Sequence, residues 1–435
     1  MSAIPSAGMP KPATLPKVTE RTLDNGLRVV AARRAGVPLV NVMIRIPSAG
    51  KPLSRVRSRM LEGSMMLGTT TRDAVHLAGD LQALGSELSV HADTDRIVLS
   101  GVTLATGLPG FLEITADVAL NAAYPSREVA GEKERVRSDL AYMRSRPGAK
   151  ADEAMSRRLF GDHPYGAPLP ADSALDKVSA SLLRRLHAAR VVPQGATVII
   201  VGDLPPAKLI GAVEVAFAGW RGGPDGSPIR RAKVRTPSGL ELVDRPGSVQ
   251  TVLMLSGVAV SPGHEDEPAL ALANMIFGGY FSSRLVANIR ERNGYTYSPR
   301  SQIHQRAAAS FLTVQADVAT GVTAPALLEM QYELGRIASL PVTDAELDSA
   351  KAYLIGTAAI ALSTQAGVTA ALTRLAAFGL PWTHVRDHGR AIAKVTTTQV
   401  REAASRYLAP TALTAVAVGD AGLVHDDVAA IYPLD

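Results

Sequence analysis

Cysteine is absent from the 435-residue chain. That removes disulfides, thiolate zinc sites, iron–sulfur clusters and cysteine nucleophiles together. Aromatic residues are scarce, at 4%, and Ala and Val carry the apolar fraction instead. Long apolar runs are lacking too: the most apolar stretch, 251–260 (TVLMLSGVAV), falls well short of the about 20 residues a spanning helix needs. Nor does one sign of charge dominate. The 46 basic and 40 acidic residues leave +6, which favours solubility and acidic partners mildly but is no footprint of a nucleic-acid binder. The opening residues MSAIPSAGMPKPATLPK contain no apolar h-region, so residues 1–18 are expected to be a flexible tail and not a signal peptide. The protein is expected to be cytoplasmic, with no membrane and no nucleic-acid partner.

What is present is a globular composition, 46% hydrophobic and 20% charged, of a length that suggests two or three compact units. A shift in composition divides the chain. Residues 220–240 read WRGGPDGSPIRRAKVRTPSGL, rich in Gly, Pro and basic residues without apolar periodicity, which is linker text. The expected domains are therefore 19–220 and 241–435, with 221–240 between them. Each half opens with strand-like alternation, at 27–30 and 37–46 in the first and 250–260 in the second. Helical stretches follow, such as 72–84 and 268–277. Each half closes with a helix, a proline turn, a β-branched run and Gly-Asp: LHAARVVPQGATVIIVGDL (186–204) and RYLAPTALTAVAVGDA (406–421). A shared closing phrase indicates an internal duplication. The order of signals predicts an α+β fold of two similar domains, each a sheet covered by helices.

Several segments make the pattern specific. LDNGLRVV (23–30), LFGDHPYGAP (159–168) and FGGYFSSRLVANIRERNGYTYS (277–298) resemble the first strand and turn, a first-domain loop, and the second-domain signature of the pitrilysin/insulinase-type zinc peptidases. The branch they resemble holds the mitochondrial processing peptidase and its bacterial relatives. The resemblance runs from about residue 18 to the C-terminus, and it implies that the chain is one half of a clam-shell of four such domains.

In that family, His-x-x-Glu-His on a helix supplies two zinc ligands and a general base, and a distal glutamate supplies the third ligand. The helix here reads Arg59-Met60-Leu61-Glu62-Gly63. The resemblance puts Glu62 at the base position, Arg59 and Gly63 at the histidine positions, and Ser138 or Asp139 at the distal position. Arg stays protonated and Gly has no side chain, so no zinc is expected in this chain and no catalytic residue of its own. Arg290 and Tyr297 match the arginine/tyrosine pair that the second domain of the family presents toward the zinc site. A guanidinium and a phenol can hold a peptide carbonyl or a developing oxyanion; the plain alternative is an exposed helix followed by a packed tyrosine. Gly278 and Gly279 either let backbone approach a peptide closely or end a helix. Arg55, Arg57 and Arg59 either face an acidic partner or form a solvated charged face.

His384 and His388 stand at metal-ligand spacing, but the sequence names no third ligand, and they read as a pair on a solvated helix face. The other seven histidines (76, 91, 163, 187, 264, 304 and 425) are scattered singly, with His163 read as structural. The resemblance implies a non-catalytic, substrate-binding subunit of a heterodimeric zinc endopeptidase. Its partner would be a homologous subunit that carries His-x-x-Glu-His and the zinc, and its substrate a short or unstructured peptide, a leader peptide among them. The alternatives are a scaffold derived from a peptidase and a self-sufficient metallopeptidase built on His384 and His388.

Overall fold

The computed structural model describes residues 8–48, 52–223 and 229–435. Two sheets carry the fold. The first holds β1 (Val18–Thr22), β2 (Arg28–Arg33), β3 (Leu39–Pro47), β4 (Glu87–Ala92), β5 (Arg96–Leu104) and β6 (Thr197–Gly202), in the order β1-β2-β6-β3-β5-β4. The second holds β7 (Leu240–Asp244), β8 (Gln250–Val258), β9 (Arg300–Gln305), β10 (Ser310–Ala319) and β11 (Leu413–Gly419), in the order β7-β11-β8-β10-β9. Apart from β1, the second order repeats the first. The closing Gly-Asp strand of each half, β6 or β11, is inserted beside the opening strand in parallel and beside the next strand antiparallel. The fold is thus mixed α/β, with two helix-covered sheets of matching topology, as the sequence implies.

Period-two alternation decides which residues face which layer. In the first sheet Val29, Ala31, Val198 and Ile200 join Phe111, Leu112 and Leu183 in the main core of that half. Their neighbours Val30, Ala32, Ile199 and Val201 point the other way and are equally buried. What covers them comes from the second half: Val368 and Leu372 on the helix Gln365–Phe378, with Leu362 before it. The reciprocal arrangement holds at the second sheet. Leu253, Leu255, Ala415 and Ala417 face the helices of their own half. Val252, Met254, Val416 and Val418 instead meet Ala151, Ala154, Met155 and Leu159 of the helix Pro147–Phe160. Each half therefore lends one helix to the other's sheet. This is why β6 and β11 are buried along their whole length, on both faces, and read as continuous apolar runs instead of alternating ones.

The segments between and before the halves are tied down by the same exchange. In the linker stretch, 224–228 lies outside the described residues, but Ala232 N donates to Ala308 O at 2.9 Å and Arg235 N to Leu159 O at 2.8 Å, while Ile229 and Val234 pack on the helix 147–160 cluster. In the N-terminal segment, 1–7 lies outside the described residues. Ala13 and Leu15, expected in a free tail, pack against the cluster that holds the helix Gln365–Phe378 on the first sheet. Apolar side chains interspersed among the prolines account for it. The loop 159–168 joins the halves directly: Tyr165 Oη donates to Asp95 Oδ1 at 2.6 Å and accepts from Ala308 N at 3.0 Å. His163 supports it, accepting from Tyr165 N at 3.2 Å and bonding Arg230 O at 3.0 Å. Among the described residues no single helix is long and apolar enough to cross a membrane.

Candidate functional site

The helix Arg55–Ser64 carries Arg59, Glu62 and Gly63, the residues that the sequence reading sets at the metal positions. It packs between β4 and the long helix Ser126–Ser145. Arg59 turns toward that helix, its Nη1 lying 3.0 Å from Met143 Sδ. Glu62 points at the sheet edge: Oε2 accepts from Ala92 N at 3.1 Å, with His91 Nδ1 at 3.4 Å. His91, on β4, is a neighbour of Glu62 that the linear sequence gives no signal for, because 29 positions separate them and only the strand brings them together.

Gly63 has a definite neighbour. A Cβ on this residue would fall 1.7 Å from Glu132 Oε1 and 2.5 Å from its Cδ. The carboxylate of Glu132 therefore fills the space that a side chain at 63 would take. It is buried, at 8% exposure, and Arg135 grips it with two bonds, Nε to Oε2 at 2.7 Å and Nη2 to Oε1 at 2.5 Å. Arg135 also donates to Asp139 Oδ2 at 2.9 Å, and these carboxylates together with Glu62 drive its basicity up. A guanidinium held among carboxylates thus occupies this region. Of the two distal positions read from sequence, Asp139 belongs to that network, whereas Ser138 is turned away, its hydroxyl bonding Glu134 O at 3.1 Å.

Zinc does not fit this set. Arg59 has no lone pair to give, Gly63 has no side chain, and Glu132 is committed to Arg135. Three basic residues at the helix start also prove unequal. Arg57 is exposed, while Arg55 is half-buried with Nη2 3.4 Å from Tyr165 O, and burial lowers its pKa. Only Arg57 serves as a solvated charge.

In the second half the arginine/tyrosine pair is brought together. Arg290, in the wide turn Val286–Arg292, lies with Cζ 4.7 Å from the centre of the Tyr297 ring and 4.9 Å from that of Phe281. Two aromatic rings stand beside one guanidinium, a cation–π arrangement that consumes none of its N–H donors, and only Nε faces a carboxylate, Glu291 Oε1 at 3.2 Å. Both rings are open to solvent, Tyr297 at 80% and Phe281 at 66%. Phe281 has no role in the sequence reading beyond its place in the phrase, yet it forms the other wall. The platform is anchored from below by Arg284, whose Nε and Nη2 donate to Glu346 at 2.7 and 2.9 Å. That fork, first, holds the Glu346 carboxyl down to about 2.

Gly278 serves a different purpose from the peptide approach considered for it. It is buried, and a Cβ there would meet Ser301 Cβ at 2.9 Å and Leu285 Cδ2 at 3.1 Å. Its missing side chain lets the turn Met275–Gly279 close onto β9, so no face is left for a peptide. Gly279 is half-buried, and a Cβ there would meet Asn274 O at 3.1 Å. The two glycines close the turn that carries the platform.

The pair His384 and His388 is not on a solvated face. His384 is 18% exposed and His388 23%, and both rings lie beside the buried carboxylate of Glu267. Burial lowers the pKa of His388, and Glu267 opposes the shift.

Two helix-covered sheets of duplicated topology place the chain in a metallopeptidase class with an inactive-type domain. Family models agree with that class. Residues 58–173 match "Insulinase (Peptidase family M16)" and residues 177–354 match "Peptidase M16 inactive domain". The chain belongs to peptidase family M16. It is 27% identical over 348 residues to an uncharacterised zinc protease of Mycobacterium leprae, 78% of each chain being covered. It is 25% identical over 404 residues to an uncharacterised zinc protease of Streptomyces coelicolor, over 90% of this chain and 87% of that one. The fold is shared with a peptidase M16 inactive domain of Pseudomonas fluorescens (TM-score 0.85, 23% identity, 93% of this chain and 98% of the other). A protease of Helicobacter pylori superposes equally well (TM-score 0.85, 19% identity, 93% and 100%).

Proposed function

We propose that this chain is the non-catalytic, substrate-binding subunit of a heterodimeric cytoplasmic zinc endopeptidase. A homologous subunit with an intact His-x-x-Glu-His would supply the metal. What supports the reading is a contrast: Arg59 and Gly63 offer no ligand and Glu132 lies in the space at Gly63, while the Arg290–Tyr297 platform is assembled and open. A chain whose whole site had decayed would have no reason to hold an arginine between two exposed rings. In the complex, Arg290 would hydrogen-bond a backbone carbonyl of the substrate beside the partner's zinc, with Tyr297 adding a phenolic donor.

Among the described residues, β4 and β9 end their sheets without a further strand. An extended peptide would add to such an edge through main-chain hydrogen bonds. The substrates would be short or unstructured peptides, leader peptides among them, admitted to a chamber between the two chains.

Peptide cleavage by this chain alone, by an intact M16 partner alone and by the mixture tests the proposal, with zinc content assayed alongside. The mixture is expected to exceed the partner, and this chain alone to be inert. Arg290→Ala and Tyr297→Phe are expected to lower turnover of the complex about 10²-fold, as loss of a transition-state donor does, with assembly intact by gel filtration. Unchanged turnover in both variants overturns the role of the pair, and failure to assemble with any intact partner leaves a scaffold as the function.

A further inference from the structure

Glu267, His384 and His388 come from two segments more than a hundred residues apart in sequence and converge at one point. Glu267 opens the helix Glu267–Asn274, and the histidines project from one face of the helix His384–Lys394 at i and i+4. His384 Nε2 lies 3.7 Å and His388 Nδ1 3.8 Å from the same oxygen, Glu267 Oε2. All three ligand atoms fall within 4.8 Å of one another. The rings stack with centroids 5.5 Å apart and planes 23° apart. These separations are too long for hydrogen bonds, so the imidazoles stand around the carboxylate without being bonded to it. Tetrahedral bonds of about 2.0–2.1 Å put ligand atoms about 3.4 Å apart, so each histidine nitrogen must close on Glu267 Oε2 by roughly 0.4 Å and the two ring nitrogens on each other by up to roughly 1.4 Å, a change of side-chain torsions.

The carboxylate is held as a ligand would be. It is 6% exposed, and Gly263 N donates to Oε2 at 2.7 Å. Oε1 accepts from Gln305 Nε2 and Arg374 Nη2, each at 3.3 Å. Gly263 N takes one lone pair of Oε2 and leaves the other, and both histidine nitrogens lie beside that same oxygen, with the donors acting as the outer shell that orients a ligand. Beside the histidines lies a mainly apolar cavity of about 450 Å³ lined by Pro12, Leu354, Leu362, Leu375 and Ile392, with Arg374 also on its wall.

We propose that Glu267, His384 and His388 form a binding site for a divalent transition-metal ion of the zinc class. The site lies in the second half, apart from the family's metal helix, and is independent of the peptidase-subunit reading. Its effect is to fasten the helix His384–Lys394 to the start of the helix Glu267–Asn274. The intervening carboxylate, Asp387, is exposed and paired with Arg386 at 3.0 Å, so no general base stands at the site, and the proposal is one of binding.

The test is titration of the chelator-treated full chain with Co²⁺, followed by visible ligand-field bands and by thermal unfolding, with Zn²⁺ as competitor. Expected are one equivalent of cobalt, bands that zinc displaces, and a metal-dependent rise in Tm. His388→Ala, a partly exposed position, should abolish the bands and the Tm rise, weakening binding by more than the roughly 10–100-fold that an outer-shell loss costs. Glu267→Gln should weaken it likewise, and His91→Ala, beside Glu62, should leave it unchanged. No bands and no Tm rise in the full chain overturn the proposal. So does binding that survives His388→Ala or disappears in His91→Ala.

Discussion

Replacing Gly63 by alanine probes how Glu132 is held beside the helix Arg55–Ser64. The added methyl would fall 1.7 Å from Glu132 Oε1, so the carboxylate must move. Sterically the move is easy, because a carboxylate is the far end of a flexible chain. Energetically it is not, because Glu132 is 8% exposed and takes two charge-assisted bonds from Arg135. Such bonds are worth about 1.5–3 kcal/mol each when buried. The Arg135 side chain is 58% exposed, and solvent screening reduces the pair to about 2–3 kcal/mol in all. At about 1 °C per kcal/mol for a chain of 435 residues that unfolds as one unit, Gly63→Ala should lower Tm by about 2–3 °C. Glu132→Ala alone should cost less, since Arg135 keeps Asp139 at 2.9 Å. The double variant should be hardly less stable than Glu132→Ala, giving a coupling of about 2 kcal/mol in a double-mutant cycle. Urea midpoints and calorimetry on the four proteins supply the cycle. A neutral Gly63→Ala, or penalties that simply add, would refute the account of Glu132 as occupant of the vanished side chain's space.

Two further outcomes follow from groups far from the platform. His187 is buried between Tyr124 Oη, 2.9 Å from Nδ1, and Ala119 O, 3.0 Å from Nε2, and desolvation brings its pKa down to about 4. Between pH 6.5 and 4 the unfolded chain therefore takes up a proton that the native one refuses, and stability falls with pH; by pH 5 the loss is about 2 kcal/mol. Urea midpoints at pH 7 and 5 should show that part of the loss missing in His187→Gln, and an identical loss in both proteins contradicts it. The exchanged helices predict that a fragment of residues 1–220 leaves both Ile199 and Val201 and the apolar face of the helix Pro147–Phe160 bare. It should aggregate or bind a hydrophobic dye, while the full chain unfolds in one calorimetric transition; a folded, monomeric fragment is the opposing result.

The layered fold was legible because it rests on local signals. The runs at 197–202 and 413–419, each ending in Gly-Asp, become β6 and β11, and their matched phrasing reflects matched sheet positions. Which sheet a helix covers was not legible. The helix Pro147–Phe160 has an apolar face made by Ala151, Ala154, Met155 and Leu159, but periodicity states only that a face must be buried, never against what. The same limit applied to the metal helix. Arg59 and Gly63 could be read as lost ligands, yet Glu132 filling the space at 63 depends on the crossing of two helices. His384 and His388 were misjudged as solvated for the same reason: their third companion, Glu267, is more than a hundred positions away. Arg290 and Tyr297, seven residues apart across one turn, are near enough in sequence for the phrase around them to place both, though not Phe281 as the opposite wall.

The helices traded between the sheets bear on how the chain's history constrains its future. A gene that doubles ordinarily leaves two copies, either of which selection can discard. Here each copy has become the other's missing outer layer: Val368 and Leu372 roof one sheet, Met155 and Leu159 the other. Neither can be deleted without stripping its sibling. The first half is retained whole whatever its metal helix carries, because the second half, with its aromatic-flanked arginine, uses Met155 and Leu159 as the cover of its own sheet.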